Sequence, residues 1–520
     1  MITRQMNLMM CATIATVLAQ TAPAVIHYVD KGNVGTAPYT NQLTAAGDIQ
    51  TAIDYASVGS TVMVYAATYD IGASLVVSCS NRVNINKAIS VRSVNNDRAN
   101  TIIKGAWDPV TTNGPAAVRC VYMATGSSLI GFTITNGATA TTGDYRSMCG
   151  GGIYTSIGSE AIISNCVITR CAAYGDVANG IGGGGVCHGT YYDCDLIGNR
   201  VGPGRSLGGG AFDATLYRCL LAGNVAEWGA GALRITLYDC IVSNNTAIKM
   251  TGTFAEAGGI GGWNEALPSR AYGCTIVGNS ADRGGGAGAY TYLSNCIVKL
   301  NRCPVTPGQT AFAGGVTSST LTDCQVISNS GGGLYRTFTT NCVISYNLGY
   351  AAYRTPSLVN CLIVGNGEGV TLDVTWLPEW IVESCTIVGN GYWGLWVANG
   401  NVYSRNNIIY GSEKPENWKR DAGTLTFENT CTTPAQAGWN ASNLAVDPKL
   451  IDPGTGYKTS HVFGNYRLRG DSPCLNAGSN KSWMTGRWDL DGNPRLDKMS
   501  GIVDMGAYET VYAGTTIMIR

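Results

Sequence analysis

Short stretches of alternating apolar and polar residues recur along the middle of the chain, each with a cysteine and an asparagine at fixed spacing. The motif Cys-x4-Asn occurs nine times in succession, 18 to 34 residues apart, and an earlier copy at Cys166 carries Cys171 in place of asparagine. The nine cysteines are Cys194, Cys219, Cys240, Cys274, Cys296, Cys324, Cys342, Cys361 and Cys385. In each copy the cysteine and the apolar residue two positions later share one face. This period of two predicts one short β-strand per copy, ended by the asparagine.

Glycine-rich segments precede most of these copies, such as "GGGGVC" (182–187), "LGGGAF" (207–212) and "RGGGAG" (283–288). Glycine allows positive φ and close approach of neighbouring chains. A strand, a turn, a second strand and a glycine corner, repeated about every 24 residues, predict an all-β fold, a right-handed single-stranded parallel β-helix. Its coils stack about 4.8 Å apart. The cysteines then form an internal ladder, and the asparagines form a second ladder at a bend. There asparagine tolerates the left-handed conformation and its amide bonds to its neighbours.

Composition and charge change this interpretation little. Charged residues make up 13% of the chain, about half the usual ~25%, and the formal net charge is zero. Nothing therefore indicates attraction to nucleic acid or to an anionic membrane by bulk charge. The 19 cysteines would suggest disulfides in an exported chain, but their ladder placement favours buried free thiols, with disulfides between rungs as the alternative. No Cys-x-x-Cys pair or Cys/His cluster has zinc spacing.

The two ends of the chain differ from the repeat region. Residues 1–24 have the basic start, apolar run and "APA" of a secretory signal, with a lipoprotein signal at Cys11 as the alternative, and no later segment is expected to span a membrane. Residues 25–70 are predicted to cap the solenoid, with an amphipathic helix at "DIQTAIDYA" (48–56) and a first strand at "TVMVYAATYD" (61–70). The solenoid is assigned to 71–435 and a small C-terminal module to 436–520. These features predict a secreted or cell-surface bacterial protein.

Resemblance to known families follows from the same residues. The Cys-x4-Asn and Gly-Gly repeats resemble the pectin-lyase-like β-helices and the repeats of polymorphic outer membrane proteins. The C-terminal segments "YRLRGDSPCLNAGS" (466–479) and "DLDGNPR" (489–495) are similar to a choice-of-anchor Q module. The resemblance implies a solenoid that hosts lyases, hydrolases or adhesins, so it does not fix a function. A third interpretation, an autotransporter passenger, requires a translocator domain that is not present in this sequence.

Alignment of the coils on the ladder cysteine brings titratable residues into one column. His188, Asp213 and Arg234 stand six residues before three successive cysteines, and Arg336 has the same place further along. Coil spacing predicts separations of about 5–10 Å. Such a group can supply general acid/base catalysis with a cation that stabilises developing negative charge. The alternative is a solvated column of charges.

Two further sets of residues are candidates for binding. The tryptophans Trp376, Trp380, Trp393 and Trp396 predict an aromatic platform for sugar rings, with burial at the end of the core as the alternative. Alternating Asp489, Asp491 and Asn493 are spaced as in calcium loops, although the rest of an EF-hand is missing, and a structural turn is the alternative. No other cofactor is expected.

The sequence therefore favours an exported, surface-associated β-helix for adhesion, glycan binding or self-assembly, with carbohydrate, a cell surface or copies of itself as partners. The exterior position three residues after the cysteine is often apolar (Ile197, Val277, Ile327, Val364 and Val388), which predicts a stripe that lateral partners cover. The alternative is an enzyme, a polysaccharide lyase or glycoside hydrolase acting on the outer face of the β-helix. A clear pair of catalytic carboxylates is not apparent from the sequence.

Overall fold

A computed structural model describes residues 24–76, 78–175, 182–202, 206–250, 255–304, 312–373, 378–496 and 500–510. Residues 1–23 of the predicted signal segment and Trp376 lie outside these ranges. The fold is the predicted parallel β-helix. Short strands from successive coils pair in parallel and in register, so that each coil contributes one rung to each of three long sheets.

Sheet 1 and sheet 2 run along almost the whole solenoid. Within the described residues, the sixteen strands of sheet 1 are Ile26–Val29, Thr61–Val64, Ser90–Ser93, Ser128–Ile130, Ile162–Ser164, Thr190–Tyr192, Thr215–Tyr217, Thr236–Tyr238, Ser269–Tyr272, Thr291–Ser294, Thr320–Thr322, Phe338–Thr340, Ser357–Val359, Trp380–Glu383, Asn401–Arg405 and Thr424–Glu428. The fifteen described strands of sheet 2 are Ala67–Tyr69, Thr101–Lys104, Thr133–Thr135, Val167–Thr169, Asp195–Ile197, Leu220–Ala222, Ile241–Ser243, Thr275–Val277, Ile297–Lys299, Gln325–Ile327, Val343–Ser345, Leu362–Val364, Thr386–Val388, Ile408–Tyr410 and Cys431–Thr432. Sheet 2 carries the motif strands.

Sheet 3 follows the glycine corners and consists of two blocks joined through Ala287. The first block contains Ser74–Val76, Cys79–Ile85, Val118–Met123, Ile153–Thr155, Val186–Cys187, Ala211–Phe212, Ala232–Leu233 and Ile260–Gly261; the second contains Val316–Thr317, Leu334–Tyr335, Tyr350–Tyr353, Glu368–Asp373, Leu395–Asn399 and Trp418–Arg420. A small fourth sheet contains Ala172–Ala173, Arg200–Val201, Val225–Ala226 and Thr246–Ala247. The described α-helices are Ile49–Tyr55 and Tyr145–Met148, with 3₁₀ turns at Gln42–Thr44, Val94–Asn96, Lys458–Ser460 and Ser482–Met484.

The two predicted ladders are present inside the solenoid. The cysteine of each motif is buried, as is the apolar residue two positions later. The backbone N–H of Cys240 donates to Sγ of Cys274 at 3.4 Å, and the same contact recurs along the column. The eighteen described cysteines are all buried and carry no disulfide. These thiols therefore act as small core side chains with weak hydrogen bonds.

The prediction that the ladder asparagine takes the left-handed conformation is wrong. Positive φ belongs to the residue just before it, such as Gly223 (63°) before Asn224, and to the residue just before the cysteine, such as Arg218 (52°). Each motif strand is therefore bounded by two left-handed turns. The asparagine side chain points inward from the second turn, where it bonds to neighbouring coils.

Glycine is required at the corners for two reasons: some positions have positive φ, and others have no space for a side chain. Gly208 has φ of 61°, which disfavours other residues. Gly210 has ordinary φ, but a Cβ added there would lie 2.5 Å from the carbonyl oxygen of Gly231 on the next coil. Adjacent coils approach too closely at this corner for any side chain, as predicted.

The N-terminal cap contains the predicted helix, with Asp48 as its N-cap accepting from the N–H of Thr51 at 2.9 Å. Ile49 and Ile53 are buried against the first coils. The first strand of sheet 1 is Ile26–Val29, so the segment at 61–70 supplies the second strand of that sheet and the first of sheet 2. The sequence pattern of 25–30 is too short to show this strand.

The C-terminal module packs on the outer face of sheet 2. Its antiparallel strands Leu450–Asp452 and Asn465–Leu468 place apolar side chains in one cluster with Val364, Val388 and Ile408 of the last coils. Val364 and Val388 were predicted to be exterior, and this module buries them. The exterior stripe is therefore covered at one end by the chain itself.

Candidate functional site

The titratable column predicted from the coil alignment is a contact cluster at the corner between sheet 3 and sheet 1. Nδ1 of His188 lies 3.3 Å from Oδ2 of Asp213, and a guanidinium nitrogen of Arg234 lies 3.0 Å from the same oxygen. All three residues have φ between 53° and 62°, so the corner backbone aims them the same way. The separations are shorter than the predicted 5–10 Å because the side chains lean towards each other.

The electrostatics of this cluster favour an ionised Asp213. Burial acts to raise the pKa of its carboxyl, but the hydrogen bond from His188 and the charge of Arg234 outweigh burial, so the pKa lies below its usual value. Arg234 also lies over the ring of Phe212, 5.0 Å from its centre. The side chain of His188 is only 7% exposed, and its Nε2 has no hydrogen-bond partner among the described residues. The free nitrogen is thus a candidate base, but a buried one.

The same corner column continues into an open groove that begins two coils after Arg234. Tyr290, Ser318 and Arg336 occupy the column on successive coils. The N–H of Tyr290 donates to the carbonyl oxygen of Ser318, and that of Ser318 donates to the carbonyl oxygen of Tyr335, next to Arg336. Each has positive φ, between 48° and 56°. Arg336 is therefore separate from the histidine cluster and belongs to this groove.

The groove has a volume of about 310 Å³ and lies between the corner and the outer face of sheet 1. Tyr292 and Phe338 lie in one row of sheet 1, with Thr320 between them in register. Tyr290, Tyr292 and Phe338 are 41%, 43% and 51% exposed. The lining is completed by Glu265, Thr291, Ser318, Ser319 and Arg336. Aromatic faces, hydroxyls and both signs of charge thus meet in one concave surface.

Tyr292 and Phe338 were not among the residues singled out from the sequence. Both stand four residues before a ladder cysteine, as does Thr320. This position is exterior on every coil of sheet 1, and on most coils it carries threonine or serine. A signal for the groove was therefore available, because two aromatic residues interrupt a polar column. The predicted acids and bases lie two positions earlier, in the neighbouring column, so the prediction did not include these aromatic residues.

The structure separates the predicted tryptophan platform. Trp380 is fully buried in the core, and Trp376 lies outside the described residues. Trp393 and Trp396 do face outward, with ring centres 5.5 Å apart, but the ammonium of Lys419 lies 4.6 and 5.2 Å from their centres. A cation therefore lies against both of these rings.

The predicted calcium loop is satisfied by N–H donors. Oδ1 of Asp489 accepts the backbone N–H groups of Asp491 and Asn493, and its Oδ2 accepts that of Glu509. The carboxylate of Asp491 pairs with Arg467. These hydrogen bonds fit the structural turn that is the alternative to a calcium loop. Across the described residues, no group of three or more His, Cys, Asp or Glu side chains is placed to hold a metal ion.

The similarities found between this chain and known proteins are all to solved structures. No family model matches the sequence, and no curated protein matches it. The chain is similar to pectate lyase Pel9A, at 13% identity over 94% of this chain and 97% of that chain, with a TM-score of 0.29. It is also similar to the A-module of mannuronan C-5 epimerase AlgE6 from Azotobacter vinelandii (13% identity, 75% and 95% covered, TM-score 0.29) and to polygalacturonase from Erwinia carotovora ssp. carotovora (9%, 80% and 99%, 0.22). Likeness at this level does not extend to an activity.

Within the described part of the chain, the helices are short, and none has the length and apolarity to cross a membrane.

Proposed function

We propose that this chain is an exported, surface-associated β-helix protein that binds glycans in the groove at Tyr290, Tyr292 and Phe338. The observation that carries the proposal is the concave arrangement of three half-exposed aromatic rings around hydroxyl and charged side chains. Exposed aromatic rings offer apolar faces to the C–H faces of sugars. The neighbouring hydroxyl, carboxylate and guanidinium groups satisfy sugar hydroxyls.

The rigidity of the groove supports binding rather than a purely structural role. Thr291 and Ser319, at its base, both donate hydrogen bonds to the carbonyl oxygen of Gly288. Arg270 lies over the ring of Tyr292 at 5.6 Å and holds it on the sheet surface. Because the site is built on paired strands, little conformational entropy is lost when a ligand binds.

The proposal is tested by screening the purified mature chain on a glycan array and measuring affinity for the strongest ligand by titration calorimetry. Tyr292→Ala and Phe338→Ala should each weaken binding at least about tenfold, the loss of roughly 1.4 kcal/mol per aromatic contact. Tyr457→Ala is the matched control, because Tyr457 is 41% exposed but lies in the C-terminal module. Equal affinities for all three variants, or no glycan bound by the native chain, would overturn the proposal.

Export and surface association rest on the N-terminal signal segment and on the similarity of residues 436–520 to a choice-of-anchor Q module. Expression in a bacterial host should yield a chain that begins after Ala24 and is found outside the cytoplasm. N-terminal sequencing of the purified protein checks the cleavage site. A cytoplasmic chain that retains residues 1–24 would refute this part and leave glycan binding untouched.

A second candidate function, cleavage of a polysaccharide, is favoured by the contact between His188 and Asp213 with Arg234 beside them. In that role His188 would move a proton, Asp213 would orient it, and Arg234 would stabilise an oxyanion. Incubation with polyuronates and neutral polysaccharides, followed by absorbance of unsaturated product and by reducing ends, tests both lyase and hydrolase activity. Activity that survives His188→Ala and Asp213→Ala would exclude this cluster as the catalytic site.

A further inference from the structure

Among the described residues, the outer face of sheet 2 keeps apolar side chains that no other part of the chain covers completely. The outer face of sheet 2 carries an apolar side chain on each of six consecutive coils, and we name this set the sheet 2 stripe. It lies in two neighbouring rows, with Leu220, Ile241 and Ile297 in one row and Ile197, Val277 and Ile327 in the other. Ile241 is 48% exposed and Ile197 37% exposed. The other four are partly buried, and polar residues such as Ser243 and Thr275 share the two rows. An apolar side chain on the outer face of every coil is still an uncommon surface for a monomer.

The stripe is continuous with an interface that the chain already uses. On the next coils of the same sheet, Val364, Val388 and Ile408 are buried beneath the C-terminal module by Leu468 and Met505. Val343, on the strand between the stripe and the module, already contacts that cluster. The outer face of sheet 2 is thus a docking surface, of which the module covers one end.

Charge on the stripe is almost absent. The outward positions of its six strands include two charged residues, Asp195 and Lys299, and Asp195 is paired with Arg98 at 3.0 Å. A partner must therefore be nearly uncharged where it meets this face, because an unpaired charge would be desolvated without compensation. The identical face of a second chain meets this condition, and its rungs repeat at the same spacing.

The edge of the C-terminal module adds exposed apolar side chains next to the sheet 2 stripe. Phe463 lies 6.4 Å from Tyr346, ring centre to ring centre, beside the covered end of sheet 2. Phe463 and its neighbour Val462 are 49% and 63% exposed, and Leu348 on the adjoining turn is 60% exposed. A solenoid laid along the stripe would also meet this edge, which marks the end of the contact.

We propose that two copies of this chain pair through the sheet 2 stripe, face to face and about a two-fold axis, at the end not covered by the C-terminal module. A two-fold axis makes the same patch serve both copies and closes the assembly at two chains. The stripe spans five coil spacings, roughly 24 Å, so the interface is at the small end of specific contacts and the dimer depends on concentration. The groove lies on sheet 1, so dimerisation and glycan binding are independent.

Sedimentation velocity over a concentration series tests the pairing. The native chain should shift from monomer to dimer, and Ile241→Lys should raise the dissociation constant at least tenfold, because it places a charge in the centre of the contact. Ile197→Lys, at the end of the stripe, should have a smaller effect in the same direction. Ile162→Lys is the control, since Ile162 is 44% exposed on sheet 1, and it should dimerise like the native chain.

Circular dichroism of each variant verifies that the solenoid is intact, which is expected because all three positions are open to solvent. A native chain that stays monomeric at every concentration would overturn the proposal. So would a dimer that Ile162→Lys disrupts and Ile241→Lys does not. Oligomers that keep growing with concentration would also contradict it, because they require a head-to-tail contact instead of a two-fold one.

Discussion

The side chain of Asn279 receives two hydrogen bonds from Asn245 on the preceding coil, through the backbone N–H and through Nδ2, both at 2.9 Å to the same Oδ1. Nδ2 of Asn279 in turn donates to Oδ1 of Asn301 and to the carbonyl oxygen of Val242. Both amides are fully buried. At the turn after each motif strand, some backbone N–H and C=O groups have no partner in a sheet. The asparagine side chains supply the missing hydrogen bonds.

Replacement of Asn279 by alanine should destabilise the solenoid strongly. It leaves the N–H of Asn245 and the carbonyl oxygen of Val242 buried without these partners, whereas Nδ2 of Asn245 keeps its hydrogen bond to the carbonyl oxygen of Leu221. At about 1–3 kcal/mol for each unsatisfied group, and with partial relaxation, we expect a loss of roughly 3 kcal/mol in the free energy of unfolding. Denaturant titration followed by circular dichroism measures it.

The control for this variant is Gln325→Ala, which removes an exposed amide from the outer face of sheet 2. Its effect should stay within about 0.5 kcal/mol. If the two variants were equally stable, the asparagine ladder would not be the stabilising element described here.

Asp213 should contribute stability that depends on pH. Its carboxyl has a pKa below the unfolded value of 3.8, because the hydrogen bond from His188 and the charge of Arg234 outweigh burial. The contribution is therefore fully present above about pH 4 and is lost as pH falls through the folded pKa. The cluster is partly open to solvent, so Asp213→Asn should cost about 1 kcal/mol at pH 7 and less at pH 3.

Denaturant titrations from pH 3 to pH 7 check this dependence. Asp239→Asn on the neighbouring coil is the matched control, because Asp239 makes no ion pair within the described residues. A stability difference between native and Asp213→Asn chains that does not change across this range would show that the carboxylate is not held ionised by its neighbours.

The architecture could be predicted from the sequence because each coil repeats the same physical requirement. Cys194 and Leu196 alternate with exterior residues, and the glycine corners have no room for a Cβ. The period of the strands and the spacing of the coils can therefore be read directly from the sequence. The left-handed turns were assigned to the wrong residue because Gly223 and Asn224 are both acceptable at such a turn. The sequence does not show which of the two points inward.

The candidate site was predicted only in part. The coil alignment correctly placed His188 beside Asp213, since residues at one column must be neighbours. The groove at Tyr292 and Phe338 depends on which exterior face is concave, and the course of the chain at Glu265 and at the neighbouring corner decides this. Trp380 is buried because its side chain is on the inward face of its strand. The last coils are irregular, so the sequence does not show which face that residue occupies.

The C-terminal module should loosen as pH rises above neutrality. Burial raises the pKa of Glu509 to about 8, and the guanidinium of Arg495, 3.1 Å away, only partly offsets this. Since the folded pKa exceeds the unfolded value of 4.5, the favourable contribution of the protonated form is fully present below pH 4.5 and is lost as pH rises through 8. We expect the native chain to lose roughly 2 kcal/mol between pH 6 and pH 9.

Glu509→Gln keeps the shape of this side chain and removes its titration, so its stability should change little over the same range. Limited proteolysis at pH 6 and pH 9 locates the effect, because cleavage should rise within residues 450–510 in the native chain and not in the variant. Identical pH profiles of the two chains would mean that another group controls the docking of the module.

Sulfur anomalous scattering from crystals of the native chain would show whether the ladder side chains stack along one axis. The sulfur atoms of Cys166 and of the nine motif cysteines should form one row of unbonded peaks, with neighbours separated by about the coil spacing of 4.8 Å. If the sulfur atoms of these ten cysteines did not share one row, or were joined in pairs at the ~2.05 Å of a disulfide, the ladder would not exist.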